Sequence, residues 1–183
     1  MKICMIGSGY VGLVSGACFS DLGNIVTCAD INKEIINKLN KGIIPIYEPG
    51  LNELVARNSK QKRLFFSTDI SNSIKKSDII FICVGTPTKN NKAVLKYVFE
   101  VVKKIKSNLN KYKIIVTKST VPVSTGDKIE KILNSKKNKN KFDVVSNPEF
   151  LREGEAIRDF QFPDRVVVGT GSKRANNIMK KLY

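Results

Sequence analysis

Three glycines near the start of the chain have the spacing of a phosphate-binding turn. Gly7, Gly9 and Gly12 form the pattern G-x-G-x-x-G directly after a short apolar segment. The first glycine permits a tight turn, the second lets the backbone approach a pyrophosphate, and the third lets a helix pack closely on a strand. Tyr10 and Val11 then stand at the start of the helix, whose free N–H groups attract phosphate. These five residues are candidate dinucleotide-binding residues.

An acidic residue follows the next apolar segment. Asp30 lies 18 residues after Gly12, at the end of a second predicted strand. A carboxylate at this place accepts hydrogen bonds from ribose hydroxyls, and it repels the 2′-phosphate that distinguishes NADP from NAD. The order of strand, glycine turn, helix, strand and acid therefore predicts an NAD site.

Two threonines also follow predicted strands. Thr86 comes after 79–84, and Thr120 comes after 114–117. Ligands of open α/β sheets bind beyond the carboxyl ends of the strands, where a hydroxyl can donate to or accept from ribose, nicotinamide or water. A strand-ending turn is the alternative, because Thr86 directly precedes Pro87 and Val121, the neighbour of Thr120, precedes Pro122. The residue before a proline avoids the helical conformation.

Two carboxylates stand four residues apart in the segment Asn147–Gly154. On a helix, Glu149 and Glu153 would share one face. Two close carboxylates raise the pKa of one of them, which suits proton transfer. Simple helix-start chemistry is the alternative, since Asn147 suits an N-cap and Pro148 suits the first helical position. The sequence predicts a helix here and leaves both interpretations open.

The cysteines indicate neither a metal site nor a disulfide framework. No histidine is present, and no C-x-x-C spacing occurs. Four thiols in apolar segments are typical of small buried hydrophobes in a reducing cytoplasm. They are Cys4, Cys18, Cys28 and Cys83. No apolar run is long enough for a membrane span, and the first residues do not resemble a signal peptide. We expect a cytoplasmic protein without a metal or a membrane partner.

The chain is strongly basic, with 32 Lys and Arg against 16 Asp and Glu, a net charge of +16 over 183 residues. Such a charge raises the possibility of nucleic-acid binding. However, the cations are mostly lysines, which are scattered and alternate with asparagine rather than with aromatic residues. Proteins that recognise base edges use mainly arginine, and surfaces on which bases stack use aromatic side chains. We interpret the charge as solvated surface and expect no nucleic-acid partner.

Short apolar strands alternate with helical patterns along the chain, which predicts an α/β fold. The expected architecture is a Rossmann-type, doubly wound, mostly parallel sheet with helices on both faces. The predicted strands are 2–6, 25–29, 64–67, 79–84, 114–117, 142–146 and 166–169. The predicted helices are 11–22, 31–40, 51–57, 94–109, 124–133 and 172–183.

Six short motifs occur in a specific order over the whole chain. They are Gly7–Gly12, Tyr47–Leu51, Gly85–Thr88, Lys118–Pro122, Asn147–Gly154 and Pro163–Gly169. In this order they closely resemble the N-terminal domain of the UDP-glucose/GDP-mannose dehydrogenase family. The run Pro163-Asp164-Arg165 is more similar to the UDP-glucose branch.

That resemblance implies chemistry and roles. The family oxidises the primary alcohol of a nucleotide sugar to a carboxylate in two NAD-dependent hydride transfers, through a cysteine thioester. Glu149 then matches an acid/base that acts through water with Thr120, and Glu153 matches a position near the nicotinamide. Glu153 and Thr86 are also implied NAD contacts, together with Thr120. The sugar-binding segment comprises Glu149, Phe150, Leu151, Arg152 and Glu153, with UDP-glucose or a related nucleotide sugar as substrate.

The chain departs from the family pattern in its extent. The Gly-rich Cys-Pro-Lys-Asp motif that carries the nucleophile does not occur in it. The resemblance therefore implies an NAD-binding domain over 1–183, followed in the family by a dimerisation helix and a UDP-sugar domain. We expect a homodimer for the full-length protein, and we expect this chain to bind NAD without completing the oxidation alone.

The chain differs from the family pattern at two further places, and three alternative functions remain open. Ile35 stands where the family often has an adenosine-side lysine, for which Lys33 or Lys38 is a substitute. The loop after Thr88, with the run 90–98, lacks a usual acidic residue. The alternatives are a GDP-mannose dehydrogenase, a UDP-N-acetylmannosamine dehydrogenase, and a non-catalytic dinucleotide-binding module.

Overall fold

A parallel sheet forms the centre of the computed structural model, which describes residues 1–90 and 92–183. Six strands form this sheet, and two short strands, 88–89 and 92–93, form a separate antiparallel hairpin. In chain order the strands are β1 Lys2–Ile6, β2 Ile25–Ala29, β3 Leu64–Ser67, β4 Ile79–Ile82, β5 Thr88–Lys89, β6 Lys92–Ala93, β7 Lys113–Thr117 and β8 Phe142–Ser146. Asn91, in the loop predicted to be altered, lies outside the described residues.

Helices cover both faces of the sheet. They are α1 Tyr10–Asp21, α2 Lys33–Asn40, α3 Leu51–Lys60, α4 Ile70–Lys76, α5 Lys96–Asn108, α6 Thr125–Leu133, α7 Ala156–Gln161 and α8 Lys173–Leu182. Side chains alternate between the faces of a strand, so Phe81 of β4 packs with α1, whereas Ile80 and Ile82 pack with α5 and α6. The predicted doubly wound architecture is confirmed. No helix of the described residues is long and apolar enough to cross a membrane.

The strand order explains where a ligand can bind. The sheet runs β3-β2-β1-β4-β7-β8, with all neighbouring strands parallel. The chain winds outward in one direction from β1 and in the other from β4. Open α/β sheets bind ligands in the crevice at this switch point, beyond the carboxyl ends of the two strands. The glycine turn directly follows β1.

The predicted helix over 147–153 is wrong, because α7 begins only at Ala156. Asn147 does not cap a helix. Its side chain is buried, accepts a hydrogen bond from the hydroxyl of Tyr183 at 2.7 Å and donates one to the carbonyl of Val167 at 2.8 Å. These tertiary hydrogen bonds replace the local ones that would start a helix, so the segment is irregular.

Smaller differences separate the other predicted strands and helices from the observed ones. The predicted strand 166–169 is wrong: only Gly169 pairs with the sheet, through a bridge to Ser146. The predicted strand 79–84 ends at Ile82. Helix α4 was not predicted; it is short, and its N-cap Asp69 accepts from the Asn72 N–H at 3.0 Å.

Candidate functional site

The glycine turn is closely packed at two positions and open at one. Gly7 has φ +105°, and a Cβ there would lie 2.7 Å from the carbonyl oxygen of Cys83. A Cβ on Gly12 would lie 1.8 Å from the carbonyl oxygen of Gly7. Both positions therefore exclude any side chain, as the motif predicts. A Cβ on Gly9 would meet no atom within 4 Å, so this glycine keeps a surface free for a ligand.

Helix α1 presents its N-terminus at the same place. Its first backbone hydrogen bond runs from the N–H of Leu13 to the carbonyl of Gly9 at 2.9 Å. The N–H groups of Tyr10, Val11 and Gly12 precede this bond and have no acceptor within the helix. Neither a side-chain cap nor an acidic residue occupies the first turn. The positive end of the helix dipole is thus available to an anion beside Gly9.

Asp30 lies against the glycine turn. One oxygen of its carboxylate accepts from the Ser8 N–H at 2.7 Å, and the other accepts from the Asn32 N–H at 2.9 Å. Both bonds orient the carboxylate beside the turn at the end of β2. A pyrophosphate against Gly9 and a ribose at Asp30 suit this arrangement. The residues present fit NAD.

The two predicted threonines are brought together by the ends of β4 and β7. The hydroxyl of Thr86 donates to the backbone carbonyl of Thr120 at 2.9 Å. Nearby, the hydroxyl of Ser119 donates to the carbonyl of Val84 at 2.7 Å. These bonds join the loops after the two strands, at the sheet edge that carries the glycine turn. Thr120 itself is exposed.

Glu149 and Glu153 do not share a helix face, because the segment that contains them is not helical. Glu149 accepts from the N–H of Leu151 at 2.7 Å, which closes a local turn. Glu153 lies in the following turn and is exposed. Phe150, between Glu149 and Leu151, is 59% exposed. Leu151 packs against the core.

Arg152 is exposed but forms ion pairs with two acidic side chains. Its guanidinium donates to Asp159 at 2.7 and 3.1 Å and to Glu155 at 3.1 Å. The hydrogen bonds from Arg152 lower the pKa of the Asp159 carboxyl to about 2. The ion pairs fasten the irregular segment to α7, which keeps the predicted sugar-binding residues together.

A cavity of about 880 Å³ opens beside this segment. It is lined mainly by the 147–166 segment and includes Lys118 and Tyr183. The glycine turn is not part of its wall, so the cavity lies beside the dinucleotide site, at the carboxyl ends of β7 and β8. Its volume suits a small ligand.

Lys118 is a site residue that the sequence analysis did not single out. Its side chain is buried, and its ammonium donates to the hydroxyl of Tyr183 at 3.2 Å and to Asn147 at 3.4 Å. Burial lowers its pKa, while Cys83 and Glu149 oppose that shift. A lysine directly after the apolar strand β7 was the available signal, because a lysine is rarely fully buried unless its ammonium is paired.

The four thiols are buried and unpaired. Burial raises the pKa of Cys4, Cys18 and Cys83 to about 12, and it also raises the pKa of Cys28. Since the thiolate is the nucleophile, thiols of this kind are inert at neutral pH. No cluster of metal-ligating side chains is found in residues 1–90 and 92–183.

Comparison with known proteins decides the family. The model of the UDP-glucose/GDP-mannose dehydrogenase family, NAD binding domain, matches residues 1–183. The chain belongs to this family. The predicted resemblance and the predicted cofactor, NAD, are both confirmed.

Relatives of known function match over the entire chain. A UDP-glucose 6-dehydrogenase of Bacillus subtilis is 52% identical over 184 residues, which is 100% of this chain and 40% of that protein. The UDP-glucose 6-dehydrogenase of Rhizobium meliloti is 49% identical over 187 residues, 100% of this chain and 43% of that protein. The chain thus spans about two fifths of the length of these relatives.

Solved structures agree with the fold. A GDP-mannose dehydrogenase of Pseudomonas aeruginosa superimposes with a TM-score of 0.95 at 34% identity, covering 100% of this chain and 44% of that one. A UDP-glucose dehydrogenase of Pyrobaculum islandicum superimposes with a TM-score of 0.93 at 36% identity, covering 99% and 43%. The same fold therefore occurs in a dehydrogenase named for GDP-mannose and in one named for UDP-glucose.

The structure shows the surroundings of Ile35, which stands where the family often has a lysine, and of the two candidate substitutes. Ile35 packs against the core. Lys38 forms an ion pair with Glu34 at 2.7 Å. Lys33 is the first residue of α2, close in sequence to Asp30, and is exposed. Of the two substitutes, Lys33 has the freer ammonium group.

Proposed function

We propose that this chain is the cofactor-binding part of an enzyme that oxidises UDP-glucose to UDP-glucuronate, in support of polysaccharide biosynthesis. One observation carries the proposal: the glycine turn and Asp30 stand at the switch point of the sheet, and the Glu149 segment stands at the same sheet edge. A dinucleotide and a sugar would then meet over the carboxyl ends of β4 and β7. The identity of 49–52% to UDP-glucose 6-dehydrogenases supports UDP-glucose as the sugar nucleotide.

Each group of residues would perform one task. Gly7, Gly9, Tyr10, Val11 and Gly12 bind the pyrophosphate through backbone N–H groups. NAD supplies the hydride acceptor when bound.

The residues at the strand ends act on the other parts of the ligands. Asp30 accepts from the ribose hydroxyls, and Thr86 lies with Thr120 where the loops after β4 and β7 join. Glu149 is the acid/base, which moves a proton through a water held with Thr120. Glu153 lies on the nicotinamide side.

The sugar contacts come from the irregular segment beside the cavity. Exposed Phe150 and half-buried Leu151 supply apolar surface, while Arg152 holds the segment on α7 through Asp159. Lys118, buried at the cavity wall, adds a positive charge. A positive charge suits an anionic nucleotide sugar.

None of the four thiols acts as the thioester nucleophile in this proposal, because all are buried and protonated. We therefore expect the chain alone to bind NAD without producing NADH. Unpaired thiols suit the cytoplasm. The full-length protein is proposed to form a homodimer without a nucleic-acid or membrane partner.

GDP-mannose is the second candidate substrate, favoured by the TM-score of 0.95 to a GDP-mannose dehydrogenase. The two sugar nucleotides differ in both base and sugar. A direct comparison of their binding to the chain separates the candidates.

The test is a titration of the isotopically labelled chain followed by amide NMR. We expect NAD to shift the signals of the glycine turn and Asp30, and UDP-glucose to shift those of 149–153. GDP-mannose at the same concentration should give weaker shifts. The UDP-glucose assignment is overturned if GDP-mannose gives the stronger shifts. The site assignment is overturned if neither sugar nucleotide perturbs 149–153.

A further inference from the structure

Glu48 is a buried carboxylate that the cofactor and sugar assignments leave unused. It lies in the loop between α2 and α3 and is only 6% exposed. Burying a carboxylate is costly unless hydrogen bonds compensate for the lost water. The position of this side chain is therefore defined by the groups that donate to it.

Those groups come from two distant parts of the chain. One oxygen of Glu48 accepts from the hydroxyl of Tyr10 and from the N–H of Gly154 at 2.8 Å. The other accepts from the N–H of Ile157 at 3.3 Å. We call these four residues the Glu48 bridge. It has one end on the first residue of α1 and the other on the segment that follows Glu153.

Tyr10 strengthens the connection. Its hydroxyl donates its proton to Glu48, and its oxygen accepts from the Gly154 N–H at 3.2 Å. Burial and the hydrogen bond to Glu48 raise the pKa of Tyr10 to about 12, so the hydroxyl stays a donor at neutral pH. The backbone of Tyr10 stands in the phosphate-binding turn, while its side chain holds the sugar-side segment.

We infer that Glu48 is a positioning residue that couples the dinucleotide turn to the Glu149–Gly154 segment. A ligand that orders the backbone of Tyr10 also orders its side chain, and therefore stabilises the bridge. By linkage, an ordered sugar-side segment favours dinucleotide binding to the same extent. The coupling rests on the proposed function, whereas the bridge itself does not.

Amide hydrogen exchange tests the bridge without any ligand. In Glu48→Gln, the carboxamide loses one acceptor oxygen, and Tyr10→Phe removes the hydroxyl. We expect exchange at Gly154 and Ile157 to accelerate about tenfold in both variants, while core amides of β1 and β4 keep their rates. Glu53→Gln, an exposed acid on α3, is the matched control. Unchanged exchange at Gly154 and Ile157 in both variants overturns the bridge.

NAD titration tests the coupling. In the wild-type chain we expect NAD to shift the Gly154 and Ile157 amides together with those of the glycine turn. In Glu48→Gln the glycine-turn shifts should remain, and those at Gly154 should disappear. Equal Gly154 shifts in wild type and Glu48→Gln overturn the coupling. Absence of all NAD shifts contradicts the proposed function instead, and the exchange measurement then still decides the bridge.

Discussion

The backbone N–H of Ser8 donates to the carboxylate of Asp30 over 2.7 Å. This bond joins the glycine turn after β1 to the end of β2, two segments that are 22 residues apart in the sequence. The acid is therefore already oriented beside the phosphate-binding turn before a ligand arrives. Such preorganisation reduces the entropic cost of binding.

Asp30 is predicted to determine the choice between NAD and NADP. Asp30→Asn removes the charge that accepts from ribose hydroxyls and repels a 2′-phosphate. We expect NAD affinity to fall about tenfold, since a hydrogen bond to a charged group contributes about 1.5–3 kcal/mol. The preference for NAD over NADP should shrink as well. Calorimetric titration with both dinucleotides measures the change. Asp127→Asn, an exposed acid on α6, is the control, and an unchanged preference in Asp30→Asn contradicts the prediction.

Gly12 is predicted to be a packing requirement rather than a ligand contact. In Gly12→Ala the new Cβ would lie 1.8 Å from the Gly7 carbonyl, so backbone must move. We expect a loss of about 3 kcal/mol in the free energy of unfolding. Urea unfolding followed by circular dichroism measures it. Gly126→Ala in α6 is the control, because a Cβ there meets no atom within 4 Å. Equal stability of the two variants would disprove the packing requirement.

The buried thiols should resist modification. At pH 8 we expect a chromogenic disulfide reagent to react with none of the four cysteines on the time scale of minutes, and with all four in denaturant. Their pKa values are raised on folding, three of them to about 12. They therefore stabilise the folded state fully below the unfolded pKa of 9, and this contribution is lost as pH rises above it. Rapid reaction of Cys83 in the folded chain would reverse our assignment of it as inert.

Lys113 should give stability the opposite dependence on pH. Its buried ammonium donates to the carbonyls of Ser77 at 2.5 Å and Lys75 at 3.1 Å. Burial lowers its pKa from 10.5 to about 8. Between these values the unfolded chain binds the extra proton, so the stability contribution of Lys113 rises with pH.

Comparison with Lys113→Met isolates this effect from that of the thiols. From pH 8 to 10.5 the wild type should gain about 2 kcal/mol relative to the variant. Denaturant titrations at several pH values give the difference. Lys60→Met, which removes an exposed lysine at the end of α3, is the control. A constant difference between wild type and Lys113→Met would contradict the lowered pKa.

Local rules located the six strands of the central sheet and the dinucleotide turn, although they also predicted a strand over 166–169 that is not formed. Runs such as 25–29 and 142–146 are short, apolar and bounded by turn residues, so their strands were predicted with correct ends. The glycine turn follows from spacing alone, since each glycine meets a distinct steric demand. The helix α1 was predicted within one residue at each end.

Long-range hydrogen bonds explain what the sequence could not reveal. Asn147 has the residue type and neighbours of a helix cap, yet its partners, Tyr183 and Val167, are 36 and 20 residues away. Glu48 likewise resembles a turn residue, but its donors lie on α1 and the 154–157 segment. Neither partner set follows from local propensity, because each depends on how distant loops meet.

Calorimetric titration of NAD into the wild-type chain and into Gly9→Ala tests the central claim most directly. Gly9 has φ −76°, which alanine adopts freely, and its Cβ would meet no protein atom within 4 Å. The variant should therefore fold with an unchanged melting temperature. We expect saturable binding of one NAD per wild-type chain, and at least about tenfold weaker binding by Gly9→Ala. No saturable binding by the folded wild type, or equal binding by both proteins, would contradict the account.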